Sequence, residues 1–215
     1  MVDDFFLLAL GALGIGALHT ATGPDHYLPF IALARAGRWS MRRTLAVTLL
    51  CGLGHVLGSV LIGLVGVAAG VGISQLAPAE DLRGHVAAWL LIGFGLAYGS
   101  WGLVRAFKPG ARAHHQTRPI ASSTGAWTLF IIFVLGPCEP LIPLVMFPAA
   151  KGDYPAMIAV VVLFGLATLL TMSALVLGGV LGLGRLRLGA LERYSHAMAG
   201  LIIFVSGGAI EFLGL

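Results

Sequence analysis

Gly23-Pro24-Asp25-His26, inside ALHTATGPDHYLPF, puts a carboxylate and an imidazole directly after a helix breaker in the middle of a long apolar run. His19 precedes the group, and His55 follows in the next apolar run, in LGHVLGS. A second group, Gly136-Pro137-Cys138-Glu139, stands 113 residues after the first, again within an apolar run. Ionisable side chains are expensive in hydrocarbon and mark a functional site by default. Taken together, His19, Asp25, His26, His55, Cys138 and Glu139 supply imidazoles, carboxylates and one thiol. That donor set suits a divalent first-row transition metal, with nickel, cobalt and zinc all compatible. Magnesium and calcium prefer all-oxygen shells. Redox copper fits less well with one thiol and Met146 nearby.

Each of these groups has a plainer role open to it. Asp25 and Glu139 could be first-turn acids that offset a helix dipole. His19 could bond a carbonyl freed by Pro24, His55 could donate between helices, and Cys138 could be an inert buried thiol. Cys51 reads as core. His85 and His196 read as interfacial, and Glu211 lies late in the last apolar run, near the outer interface. His114-His115 reads as part of a solvated loop.

The elements that must hold these residues are membrane helices. The chain has 215 residues, 58% of them hydrophobic and 10% charged, with mean hydropathy +0.96. A soluble domain carries about 25% charged residues, so an integral membrane protein is expected. Glycine, at 31 residues, is about twice as frequent as average, as close helix packing in lipid requires. The pairs Gly54/Gly58, Gly66/Gly70 and Gly95/Gly99 are spaced for such packing. The basic balance therefore points to membrane orientation, not to nucleic-acid binding. The two cysteines, Cys51 and Cys138, lie in apolar segments and give no disulfide framework. The start MVDDFF lacks a basic n-region and reads as the beginning of a first transmembrane helix.

Six apolar runs are long enough to span: about 5–33, 44–73, 86–106, 125–149, 155–183 and 194–213. No run alternates as barrel strands do. The connection around APAEDLRGH reads as polar and extramembrane. Of the 13 Lys and Arg residues, all but Arg83 and Lys151 fall in the first, third and fifth connections. The positive-inside rule then puts those connections in the cytoplasm and both termini outside, in a plasma (inner) membrane.

The offset of 113 that relates the two Gly-Pro groups also takes Leu28 to Leu141, Gly52-Leu53 to Gly165-Leu166, Leu57 to Leu170, Gly66 to Gly179 and Gly95 to Gly208. His55 maps to Thr168. The expected fold is all-α, with six transmembrane helices in two inverted three-helix repeats whose first helices are broken at Gly-Pro. Residues 1–106 form the first repeat, 107–124 a cytoplasmic linker and 125–215 the second. Inverted repeats with broken helices place a transport site near the midplane.

The motif His19-TATGP-Asp25-His26, with Gly54-His55 in the next helix, resembles the nickel/cobalt transporter families. It also resembles their relatives known as urease-accessory-like and sulfite-exporter-like membrane proteins. The likeness is close over about 10–62 and rests on repeat and helix count elsewhere. Here one residue more than is usual in those families separates His19 from Asp25-His26, and larger members have more spans. LGPCEPLIP resembles the thiol-transfer membrane proteins of cytochrome c maturation, which carry a cysteine in each Gly/Pro break; here Asp25 stands at the first. The resemblance implies a non-enzymatic secondary transporter of a divalent transition metal, nickel or cobalt foremost. It implies no prosthetic group, and it leaves proton coupling and a homodimer open. Export of sulfite or an organosulfur anion is the alternative, since helix N-termini welcome anions, with transmembrane thiol or electron transfer third. The chain carries no ATP-binding motif.

The topology is directly testable. Cysteines placed at Ser122 and Ala79 are expected to react with an impermeant thiol reagent from the cytoplasmic and the outer side respectively; labelling on the reversed sides overturns the orientation.

Overall fold

This computed structural model describes residues 2–107, 120–136, 138–184 and 189–214. Pro137, His114 and His115, most of the 107–124 linker, and the basic residues Lys108, Arg112, Arg118, Arg185 and Arg187 lie outside the described residues.

The described chain is all-helical, without strands. Its helices are α1 (Val2–Thr22), α2 (Leu28–Ala36), α3 (Met41–Ala69), α4 (Ile73–Phe107), α5 (Ile120–Leu135), α6 (Leu141–Ala150), α7 (Tyr154–Gly184) and α8 (Ser195–Leu213). A 3-10 turn, Pro24–His26, joins α1 to α2, and another, Gly189–Tyr194, leads into α8. Among the described residues five helices are long and apolar enough to cross a membrane: α1, α3, α4, α7 and the segment Leu191–Leu213 that contains α8. The apolar helices α5 and α6 are shorter. Large apolar side chains such as Leu7, Leu170 and Phe212 stand exposed on their outer faces. Such an outer surface is compatible with a multi-pass membrane protein.

The first break forms as the residue types dictate. Pro24 has no N–H to continue α1, and α1 ends at Thr22. Gly23 turns into extended backbone, and Pro24 opens the 3-10 turn. A side chain at Gly23 would lie 2.6 Å from His26 Nδ1 and 2.8 Å from Asp25 Oδ1, so glycine is needed for the following residues to fold back over it. In the second half α5 stops at Leu135 and α6 starts at Leu141.

Two expectations are corrected. The APAEDLRGH stretch is not a separate connection between helices: it lies within α4, which starts at Ile73, runs through Pro78, and buries Glu80. Its charged residues stay in the helix because Glu80 and Arg83 pair one turn apart and Arg83 reaches other helices, as described below. Gly70 packs against nothing. It ends α3 in the left-handed region at φ 65°, where its N–H and that of Val71 close onto Val67 and Gly66 carbonyls. Glycine is favoured there because it has no Cβ.

Elsewhere glycines bring helices together. Gly52 in α3 meets Leu169 in α7, and Gly165 in α7 meets Val56 in α3. Gly54 packs on Val134 and Phe130 of α5. The seam between α4 and α8 is the tightest. A Cβ on Gly200 would strike the Gly99 backbone, one on Gly95 the Phe204 backbone, and one on Gly102 would sit 2.5 Å from Ala197 N. None of these backbones can yield as a side-chain tip would.

Gly200→Ala is therefore expected to destabilise by about 1–3 kcal/mol through overpacking. Gly93→Ala, on the same seam's outer side with nothing within 4 Å, should gain up to about 1 kcal/mol of helix propensity. Thermal unfolding in detergent compares them, and equal melting temperatures would show that α4 and α8 are not held at glycine distance.

Candidate metal centre

Three imidazoles converge at the first break. His19 comes from the last turn of α1, His26 from the 3-10 turn, and His55 from the middle of α3. One ring nitrogen from each lies within 4.8 Å of the others. His26 and His55 face each other through their Nε2 atoms at 3.4 Å. The His19 and His55 rings are parallel, with centroids 6.2 Å apart, and His26 stands edge-on to both. His26 and His55 are buried, and His19 Nε2 is a buried nitrogen with no hydrogen-bond partner.

The surroundings fix which nitrogens are free. His55 Nδ1 lies 3.3 Å from the Phe133 carbonyl. A carbonyl only accepts, so Nδ1 carries the hydrogen and Nε2 keeps its lone pair. His26 Nδ1 lies 3.2 Å from the Gly23 carbonyl and 3.1 Å from Asp25 Oδ1. Both are acceptors, so His26 too presents a bare Nε2. Two lone pairs then point into one small gap beside the unpartnered nitrogen of His19. Three imidazoles, two of them with their far nitrogens anchored to carbonyls or a carboxylate, are an ordinary donor set for a first-row divalent cation.

Asp25, with its side chain 19% exposed, sits behind His26 and orients it. Its oxygens are not among the mutually close ligand atoms. Glu139 is exposed and lines the same cavity as the histidines. Cys138 takes a different course. Its side chain is buried with Ala12, Val56, Leu141, Val145 and Phe164, and it is not among the close ligand atoms. Thr168, aligned with His55 by the sequence offset, is buried with its hydroxyl unpartnered. Cys51 is core, packed with Phe30, Leu129 and Met172.

A cavity of about 490 Å³ runs from the histidines to Asp81, His85 and Glu211. His85 Nδ1 and Glu211 Oε2 are 2.9 Å apart there, and the His85 side chain is 62% exposed. The cavity thus joins the buried imidazoles to the surface along a wall of acids.

Sequence reasoning missed a second polar cluster, at the other break. Pro137 has no N–H, and the carbonyls one turn before it lose their usual donors. Arg83 Nη2 lies 3.1 Å from the Val134 carbonyl and 3.2 Å from that of Gly136. Arg83 Nη1 donates to Glu80 Oε1 and to Ser59 Oγ at 3.4 Å. Ser59 Oγ in turn accepts the Cys138 N–H at 3.0 Å. The available signal was the Glu80/Arg83 spacing of three, which places both on one helix face.

Comparison with protein-family models, with curated proteins and with solved structures found no match for this chain.

Ser59→Ala leaves the Cys138 N–H buried and unpaired, which should cost about 1–3 kcal/mol. Ser173→Ala removes a buried hydroxyl that has no partner and should be neutral or mildly stabilising. Thermal unfolding of the pair reads the difference, and an unchanged Ser59→Ala would remove the hydroxyl from the account of the break.

Proposed function

We propose that this protein is a secondary transporter of a divalent transition-metal cation, nickel or cobalt foremost, with the His19/His26/His55 cluster as the site where the ion rests. The observation that carries the reading is that cluster: three imidazoles at a helix break, with two bare Nε2 atoms 3.4 Å apart. The acid-lined cavity supports a cation over an anion, because Asp25, Asp81, Glu139 and Glu211 would repel sulfite. Thiol transfer is the weaker reading, since both cysteines are fully buried in apolar clusters.

The same reading includes six spans in two inverted repeats, with α1 and α2 forming the first broken span and α5 and α6 the fourth. Helix pairings support it. α1 packs on α7 and α5 on α3; α2 packs on α7 and α6 on α3; α4 packs on α8. Exchanging the halves turns each of these pairings into its counterpart, although α2 on α8 and α6 on α7 have only slight counterparts. The Gly52–Leu169 and Gly165–Val56 contacts exchange in the same way. The finer placement in the plasma membrane, with both termini outside, rests on the charge distribution. With Arg83 occupied at a helix break, Lys151 alone is left as a basic residue on the outer side, which strengthens that bias. A homodimer remains part of the proposal for the assembled protein.

Protons enter through the ligands. A metal needs neutral imidazoles, and an acid medium protonates the nitrogens it would use. Proton and metal then exclude one another at one place, which is the simplest coupling of a proton gradient to metal movement.

Isothermal titration of the purified protein with nickel, cobalt and zinc tests this. His26→Ala and His55→Ala should abolish saturable binding. Asp25→Asn, which removes the charge that orients His26, should weaken it about 10–100-fold. Wild-type affinity should decline as the medium is made acidic, because protons take the nitrogens the metal would use. Wild-type affinity in all three variants would sink the metal reading and favour the anion exporter.

A further inference from the structure

We infer that Arg83 is a positioning residue for the metal site: by tying down the broken end of α5 it holds the Phe133 carbonyl where it orients His55. The inference deepens the proposed metal reading and rests on it for one of its two measurements.

Among the described residues Arg83 hydrogen-bonds to Glu80, Ser59, Val134 and Gly136 and to none of the three histidines, and it carries the charge a cation site would least want nearby. Its contacts explain why it is there. One guanidinium edge spans the Val134 and Gly136 carbonyls at 3.1 and 3.2 Å. The other meets Glu80 and Ser59, and Ser59 holds the Cys138 N–H beyond the break. Gly58 leaves the room: a Cβ there would stand 3.0 Å from Arg83 Nη2 and 2.8 Å from the Val134 carbonyl. A donor from α4, Arg83, and an acceptor from α3, Ser59, thus clasp the two sides of the second break. Phe133 is the residue next to Val134, and its carbonyl is the acceptor for His55 Nδ1. If the last turn of α5 moves, that acceptor moves, and His55 loses what fixes its tautomer and ring orientation.

Charge and geometry predict opposite signs. Removing a fixed positive charge near a cation site should tighten metal binding. Loosening the turn that orients a ligand should weaken it. Lysine keeps the charge but offers a compact ammonium in place of a planar fork, so it cannot span two carbonyls, a carboxylate and a hydroxyl together. Glutamine at both Arg83 and Glu80 removes the charges as a pair and leaves neither ion buried alone.

The experiment uses the full chain in nanodiscs, with nitrogen-labelled histidine. Long-range proton–nitrogen spectra, assigned by the loss of signals in His55→Gln, report the His55 tautomer without any metal. Cobalt titration reports affinity. Wild type is expected to show a single His55 tautomer with the hydrogen on Nδ1. Arg83→Lys and the Glu80→Gln/Arg83→Gln double variant are expected to show a tautomer mixture and cobalt binding weaker by about tenfold. A single Nδ1–H tautomer retained in Arg83→Lys overturns the inference, as does cobalt affinity in that variant equal to or above wild type. If the double variant does not fold, Arg83→Lys alone decides. If the wild type binds no cobalt, the metal reading fails, and the tautomer measurement still decides the role of Arg83.

Discussion

A peptide carbonyl inside a membrane has no water to fall back on, so a helix broken at depth must find its donors in other parts of the protein. This requirement arranges the centre of the molecule. The carbonyls of Phe133, Val134 and Gly136 take a histidine from α3 and an arginine from α4. The one amide beyond the break with a described side-chain partner, Cys138 N–H, goes to a serine of α3. Two helices, α3 and α4, are bound to the end of α5 by these polar contacts, in addition to the apolar packing. The same contact that satisfies Phe133 leaves His55 Nε2 bare towards His26. Tolerating the break and building the donor cluster are one structural event.

Much of this could be read in the chain itself. Apolar runs gave the long helices because a span of hydrocarbon needs about 20 such residues. The first break was legible because Gly-Pro cannot sit inside a helix without losing a hydrogen bond. His19 and His26 flank that break, so their approach followed from it, and His55 followed as the lone imidazole in the next run. Arg83, Glu80 and Ser59 were not legible. A charged pair lowers the local hydropathy whether it is solvated or buried with partners, so α4 seemed to start after it. Those partners lie on α3 and α5, and spacing along one helix does not reveal them. The fates of Cys138 and Glu139 were also hidden. They are neighbours in a non-helical turn, where adjacent side chains diverge: one enters an apolar cluster and the other faces the cavity.

The two breaks differ in chemistry although the sequence offset aligns them. One gathers imidazoles with bare nitrogens. The other is filled by a guanidinium that belongs to the chain. Asp25 aligns with Cys138 and His26 with Glu139, so the residues following the two prolines have taken different roles. A single cluster of donors results, beside a scaffold that already carries its own cation.

The cavity leading from that cluster reaches the surface beside His85 and Glu211. Water in such a space is continuous with one compartment, and its floor takes that compartment's electric potential. In the proposed transporter a voltage across the bilayer would then fall mainly over the protein between the imidazoles and the other side, not over the full membrane thickness. A doubly charged ion crossing that part would exchange nearly the whole electrical work of passage there, about 4–5 kcal/mol per 100 mV. In the proposed transporter the depth of the cavity therefore decides where along the route a membrane potential acts.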